Sequence, residues 1–228
     1  YFEEHGGIDP QELRRLSISS HRLLDFSVNS NPFGPSPRVL EAIHRVDISC
    51  YPDRNCLVLR ERLADLNDVP VNQILIGNGT AELIWLLAQA FVKPGDGVCI
   101  IGPTFGEYRR AASQVGAVIK EITAQSPDFD PPLDIAEEYI GQHHPRMVFL
   151  CNPNNPTGKN MDAKRIGILQ AACGTETILV LDEAYRSFVN GVSFGGLPGS
   201  NCILLRSMTK EFALAGLRLG YAIADVRF

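Results

Sequence analysis

Near the end of the sequence, SMTKEFALAGLR (207–218) sets Lys210 among Ser, Met, Thr, Phe, Ala and Leu, with Arg218 following. A lysine in apolar company loses hydration, and an amine held neutral is both a nucleophile and a base. ILVLDEAYRSF (178–188) closes an apolar run with Asp182, and Tyr185 follows. A carboxylate in that position must find a cationic or hydrogen-bonding partner. GNGTAEL (77–83) joins an apolar run to a helical pattern through glycines. Free backbone N–H groups and the positive end of a helix suit a phosphate there, and a plain N-cap is the competing reading. Glu82 stands where a dinucleotide fingerprint needs its third glycine, so NAD is not supported. PTFGEY (103–108) places Phe105 and Tyr108 after another apolar run, where either can stack on a flat ligand or pack the core. NPNNPTG (152–158) fixes the chain with two Asn-Pro steps and lets Asn155 present its amide.

Taken together, these residues ask for a flat, anionic cofactor with a protonatable ring. Gly79, Thr80 and Ala81 would hold its phosphate, helped by Ser207 and Arg218, and Phe105 would cover its ring. Asp182 would keep a ring nitrogen protonated, Asn155 and Tyr185 would bond a ring hydroxyl, and Lys210 would form a Schiff base with an aldehyde. Pyridoxal 5'-phosphate meets each requirement. The Leu-Asp-Glu strand end also fits a Walker B strand, but no GxxxxGK[ST] occurs in the chain. His143 and His144 precede Pro145 with no acidic partner at ligand spacing, so they read as solvated loop histidines and no metal is expected.

These groups need a scaffold that brings distant segments to one edge. From residue 74 onward, Val/Ile/Leu runs alternate with helical patterns. Strands are expected at 74–76, 98–101, 117–122, 147–151, 178–182, 202–206 and 220–224. Helices are expected at 81–92, 107–116, 134–142 and 161–173, preceded by two more at 37–46 and 57–67. The second of these carries RERLADLND (60–68), read as a solvated face. Uninterrupted apolar strands between helices imply an α/β three-layer sandwich with a mainly parallel central sheet, in which ligands bind beyond the carboxyl ends of the strands. Residues 1–36, rich in Gly, Pro, Asn and Ser around LLDFSV (23–28), read as an arm with little structure of its own.

At 228 residues a sizeable core is possible, and 45% hydrophobic with 21% charged residues is ordinary for a globular protein. A net charge of -5 without a Lys/Arg block argues against nucleic acid, and no apolar run is long enough to cross a bilayer. The 6 cysteines show no CxxC or zinc spacing and several sit in apolar runs, which fits the reducing cytoplasm. The chain opens at Tyr1 rather than Met, as a processed, trimmed or partial chain does.

The order GNGTAE, PTF, NPNNPTG, DEAY, SMTK and GLRLGY resembles the class I/II aminotransferases of PLP fold type I, from about residue 23 to 224. The resemblance implies that Lys210 is the Schiff-base lysine and proton shuttle, and that Asp182 pairs with the pyridinium nitrogen. It implies that Tyr185 and Asn155 bond the phenolic oxygen, that Phe105 stacks on the ring in preference to Tyr108, and that Gly79, Thr80, Ala81, Ser207 and Arg218 bind phosphate. Tyr51, in YPD (51–53), resembles the tyrosine that reaches the phosphate of a neighbouring subunit, which implies a homodimer. DFSVNSNPFGPSP (25–37), YPD, DEAYRSF and SMTKEFALAGLR resemble the histidinol-phosphate aminotransferase branch; HGG (5–7), the wording DFSVNSNP and PTFGEYRRA resemble its relative, threonine-phosphate decarboxylase of cobalamin synthesis. A small phosphorylated amine is therefore the expected substrate, with transamination preferred to decarboxylation and a non-catalytic PLP-binding module the minor alternative. Family members continue into a small C-terminal domain with a carboxylate-gripping arginine. The expected organisation is thus an arm (1–36) and a PLP-binding large domain (37–228), with that small domain missing.

Overall fold

The structure, a computed structural model, describes residues 7–19, 23–189 and 201–228; His5 and Gly6 of the HGG motif lie outside them. The apolar runs become a 7-stranded sheet of order β1-β7-β6-β5-β4-β2-β3. Its strands are β1 (Ile74–Asn78), β2 (Gly97–Gly102), β3 (Val118–Thr123), β4 (Met147–Cys151), β5 (Ile178–Asp182), β6 (Cys202–Ser207) and β7 (Leu219–Ile223). β7 runs antiparallel to both β1 and β6, and the other pairings are parallel. β4 and β5 are buried at every position, as strands covered on both faces must be.

Side chains alternate between the two faces. Met147, Phe149, Cys151, Ile178 and Val180 pack on one side, with α4 (Gly79–Phe91) and α5 (Glu107–Gln114). Val148, Leu150, Leu179 and Leu181 pack on the other, with α3 (Leu57–Asn67), α6 (Leu133–His143) and α7 (Ala163–Cys173). The expected three-layer α/β architecture is therefore present, and its elements lie close to the expected ranges. α7 starts at Ala163 rather than 161 because Asp162 caps it, accepting the Arg165 N–H at 2.8 Å. Among the described residues, no helix is long and apolar enough to cross a membrane.

Two expectations need correction. The arm carries a helix, α1 (Pro10–Leu16), started by Asp9 and Pro10 and ended by Ser17 in the left-handed region (φ 54°). As an arm would, the LLDFSV run stays outside the core, with Leu24 and Phe26 85% and 92% exposed. The RERLADLND face is only partly solvated, since Leu63 and Ala64 are buried and Arg60 donates to the carbonyls of Ile74 (2.9 Å) and Val71 (3.0 Å). α2 (Pro37–His44) precedes α3 and has no buried residue.

Candidate active site

The carboxyl ends of β1, β2, β4, β5 and β6 share one edge of the sheet. β7 runs the opposite way, so its beginning reaches that edge too: Leu219 pairs with Asn78, and Gly220 with both Gly77 and Ser207. This places Arg218, which precedes its strand, beside residues that follow theirs. A cleft of about 450 Å³ opens there, lined by Gly79, Thr80, Ala81, Phe105, Asn155, Asp182, Tyr185, Ser207, Lys210 and Arg218. Its size falls within the roughly 300–1,000 Å³ of small-molecule sites. A second cleft of about 500 Å³ between β1, α4 and Phe228 has mainly apolar walls and brings no such set of groups together.

Asp182 ends a fully buried strand and faces the α4/α5 side, in register with Val180 and across from Cys151. Its Oδ2 accepts the Tyr108 hydroxyl at 2.9 Å and its Oδ1 accepts the Ala184 N–H at 2.9 Å. Burial pushes the carboxyl up from 3.8 to about 6, against the downward pull of these two donors, with the Glu183 charge adding a smaller upward push. Glu183 itself pairs with Arg206 at 2.7 Å, and Arg206 is bonded to Asn67 of α3 at 2.8 Å. The acids of DEAY thus have separate duties, one at the cleft and one tying β6 to α3.

Tyr108 is wholly buried, stacked on Phe149 with centroids 4.9 Å apart, so its hydroxyl holds Asp182 and its ring is not offered to a ligand. Phe105 lies edge-on to it at 5.7 Å, partly exposed on the cleft wall, and its ring is the one presented to the cleft. The Asn-Pro segment is braced so that Asn155 reaches the cleft. Asn152 bonds both backbone groups of Met161 (3.0 and 2.7 Å), and Asn154 bonds Thr104 Oγ1 and the Pro103 carbonyl, each at 2.8 Å.

At the opposite end, α4 begins at Gly79 (φ +79°) with no side-chain cap from Asn78. A Cβ on Gly79 would lie 2.8 Å from Arg218 Nη2, so the guanidinium rests against the helix start. Arg218 has no acidic partner among the described residues. A cation beside the positive end of a 13-residue helix is an arrangement that an anion would stabilise. Lys210, half-buried on α8 (Met208–Glu211), has its pKa lowered by burial first and by Arg218 second. Ser207 is the N-cap of α8, accepting the Thr209 N–H at 3.2 Å. Burial also raises Tyr185, while an Asn29 side-chain hydrogen bond pulls it back.

The structure therefore brings together every candidate except Tyr51, which is 100% exposed and absent from the cleft lining. Sequence reasoning missed Asn29, Ser27 and Val28, which line the cleft from the arm, and the Tyr108–Asp182 bond. The asparagines of VNSNP were the available signal. Cys151 also lines the cleft, but burial raises its thiol to about 12, which leaves it unreactive. His143 and His144 are exposed, and His143 stacks on Tyr139 at 4.3 Å.

A family model for aminotransferase class I and II matches residues 21–227. The chain belongs to this family. Among its relatives, histidinol-phosphate aminotransferase 2 of Bacillus cereus is 33% identical over 96% of the chain, and the enzyme of Moorella thermoacetica is 35% identical over 92%. The chain spans 61% and 55% of the lengths of these two aminotransferases. The crystal structure of histidinol-phosphate aminotransferase from Sinorhizobium meliloti in complex with pyridoxal-5'-phosphate superposes with a TM-score of 0.88 at 25% identity, covering 97% of this chain and 61% of that one. L-threonine-O-3-phosphate decarboxylase from Porphyromonas gingivalis gives a TM-score of 0.69 at 28% identity, covering 83% of this chain and 57% of that one.

Proposed function

We propose that residues 37–228 are the cofactor-binding large domain of a pyridoxal 5'-phosphate-dependent transaminase, with residues 1–36 as its arm and a small phosphorylated amine of the histidinol phosphate kind as substrate. One observation carries this reading: an amine on Lys210, a desolvated acid on Asp182 and an anion cradle at the start of α4 open into one cleft. The residues fit the cofactor. A protonated pyridine nitrogen would be the cationic partner that buried Asp182 lacks among the described residues, and a phosphate relieves the convergence of Arg218 with the helix N-terminus.

When bound, the cofactor supplies an electron sink for negative charge developing at the substrate Cα. Asp182 keeps the ring nitrogen protonated, without which the sink is weaker. Asn155 and Tyr185 bond the ring hydroxyl and Phe105 covers one face. Gly79, Thr80, Ala81, Ser207 and Arg218 hold the phosphate. The Lys210 amine would hold the cofactor and would serve as the base that moves a proton at the substrate Cα. Burial favours its neutral form, which is the form that accepts that proton. Tyr51, outside its own cleft, is assigned to the phosphate of a second copy in a cytoplasmic homodimer.

Reconstitution of the full-length protein with the cofactor tests this. Lys210→Ala is expected to lose both borohydride fixation of the cofactor and turnover, and retention of both would overturn the assignment. For the substrate, glutamate should form from histidinol phosphate and 2-oxoglutarate, with no CO2 released from threonine phosphate. The reverse pattern would favour the decarboxylase reading, which is supported by similarity to the Porphyromonas gingivalis structure at the lower of the two TM-scores.

A further inference from the structure

Lys210 stands on a helix of 4 residues. So short a helix makes almost no hydrogen bonds of its own, and its last carbonyls need partners from elsewhere. Asn31 provides them from 180 positions away in the chain. Its backbone N–H donates to the Lys210 carbonyl at 3.1 Å, and its Nδ2 donates to the Glu211 carbonyl at 2.8 Å. Its Oδ1 accepts the Phe33 N–H at 3.0 Å, so both ends of the amide are engaged and its rotamer is fixed. The chain just beyond α8 holds the Lys210 carbonyl more weakly, although the Leu214 N–H reaches the Thr209 carbonyl at 3.2 Å. The Ala213 N–H reaches the Lys210 carbonyl at 3.4 Å, from a residue that itself sits in the left-handed region (φ 54°).

We infer that Asn31 is a positioning residue for Lys210, clamping the carbonyl end of α8 and so setting the direction in which the amine enters the cleft. The inference rests on the proposed role of Lys210. Asn31 lies outside the cleft lining and acts only through the backbone of the helix. An asparagine is required because the site needs a donor and an acceptor at once. Aspartate keeps the bond to Phe33 but sets a carboxylate oxygen against the Glu211 carbonyl. The segment approaches the site twice, since Asn29, two residues earlier, bonds Tyr185. The arm is thereby tied to both the amine-bearing and the phenol-bearing elements.

The test uses the full-length protein loaded with pyridoxal phosphate, and compares Asn31→Asp with wild type. Amide exchange over 208–214 should quicken about tenfold, the effect of losing one hydrogen bond, while peptides of β4 and β5 stay unchanged. Cofactor release should accelerate by a similar factor, and borohydride fixation at Lys210, read by peptide mass, should slow. Wild-type exchange and release in the variant would overturn the inference. If borohydride does not fix cofactor to Lys210 in the wild type, the underlying functional reading fails instead, so the two failures are distinguishable. Should Asn31→Asp not fold, wild-type exchange decides. The Asn31 amide and those of 212–214 should open with the same free energy, and an Asn31 amide exchanging at an open-loop rate beside a protected α8 overturns the clamp.

Discussion

Asp182 shows how a single residue carries a cost that binding removes. In the unfolded chain its carboxyl has the ordinary value of 3.8, and in the fold it is raised to about 6. The folded state therefore takes up a proton between these values, and stability falls as pH rises through that window. The cost levels off above pH 6 at about 3 kcal/mol, from about 1.4 kcal/mol per pH unit. Asp182→Asn removes the ionisation while keeping a similar shape. Without cofactor, the variant should melt above wild type at pH 7, with the gap closing towards pH 4. Parallel melting curves across this range would show that the carboxylate is not desolvated. Adding pyridoxal phosphate should reverse the order at pH 7, because wild type gains binding free energy that the amide variant largely forgoes.

Between elements, the anion cradle depends on how closely β7 lets α4 approach. A Cβ on Gly220 would lie 2.6 Å from the Thr80 nitrogen and 2.7 Å from the Gly79 carbonyl carbon, both backbone atoms that cannot swing aside. Gly220→Ala must therefore push the start of α4 off the sheet. Its expected effects are a lower melting temperature and cofactor affinity weakened at least about tenfold, the scale of one misplaced hydrogen bond. Gly79→Ala meets only the tip of Arg218, so its penalty is the left-handed backbone at φ +79°, about 1–2 kcal/mol. Calorimetry and absorbance titration measure both variants, and wild-type affinity in Gly220→Ala would rule the close approach out as a requirement. The strand runs and the polar residues just after β2, β4, β5 and β6 were legible because burial on both faces leaves continuous apolar stretches. Gly220 was not. The rule that functional residues follow strands holds for parallel strands, and β7 is the antiparallel one. Phe105 and Tyr108 were separable only in three dimensions, where one ring is sealed on Phe149 and the other stays at the cleft. Asn31 stood in the VNSNP run, but its role was not legible there, since its partner lies 180 positions away.

Across the whole molecule, the most exposed large apolar side chains among the described residues fall on one stretch of sequence. Phe26 is 92% exposed, Phe33 and Ile48 each 94%, and Tyr51 100%. Scattered exposed apolar residues are ordinary, but so many large ones within a short stretch suit a surface that a second copy covers. On the proposed homodimer, Ile48→Asp should shift the full-length protein towards monomer in sedimentation at micromolar concentration, with cofactor affinity falling alongside. Tyr51→Phe should leave the dimer intact and weaken cofactor binding about tenfold, for one lost hydrogen bond to phosphate. A mixed dimer separates this arrangement from one in which Tyr51 serves its own chain. Lys210→Ala chains keep Tyr51, and Tyr51→Phe chains keep Lys210. If the tyrosine crosses the interface, a dimer of one such chain with the other holds one site with both native residues, and that site should bind cofactor with wild-type affinity and turn over. If the tyrosine acts within its own chain, no site in the mixture has both, and wild-type affinity at a Lys210 site never returns. Co-expression with two affinity tags and titration of the doubly tagged species reads this directly, because only the hybrid is recovered.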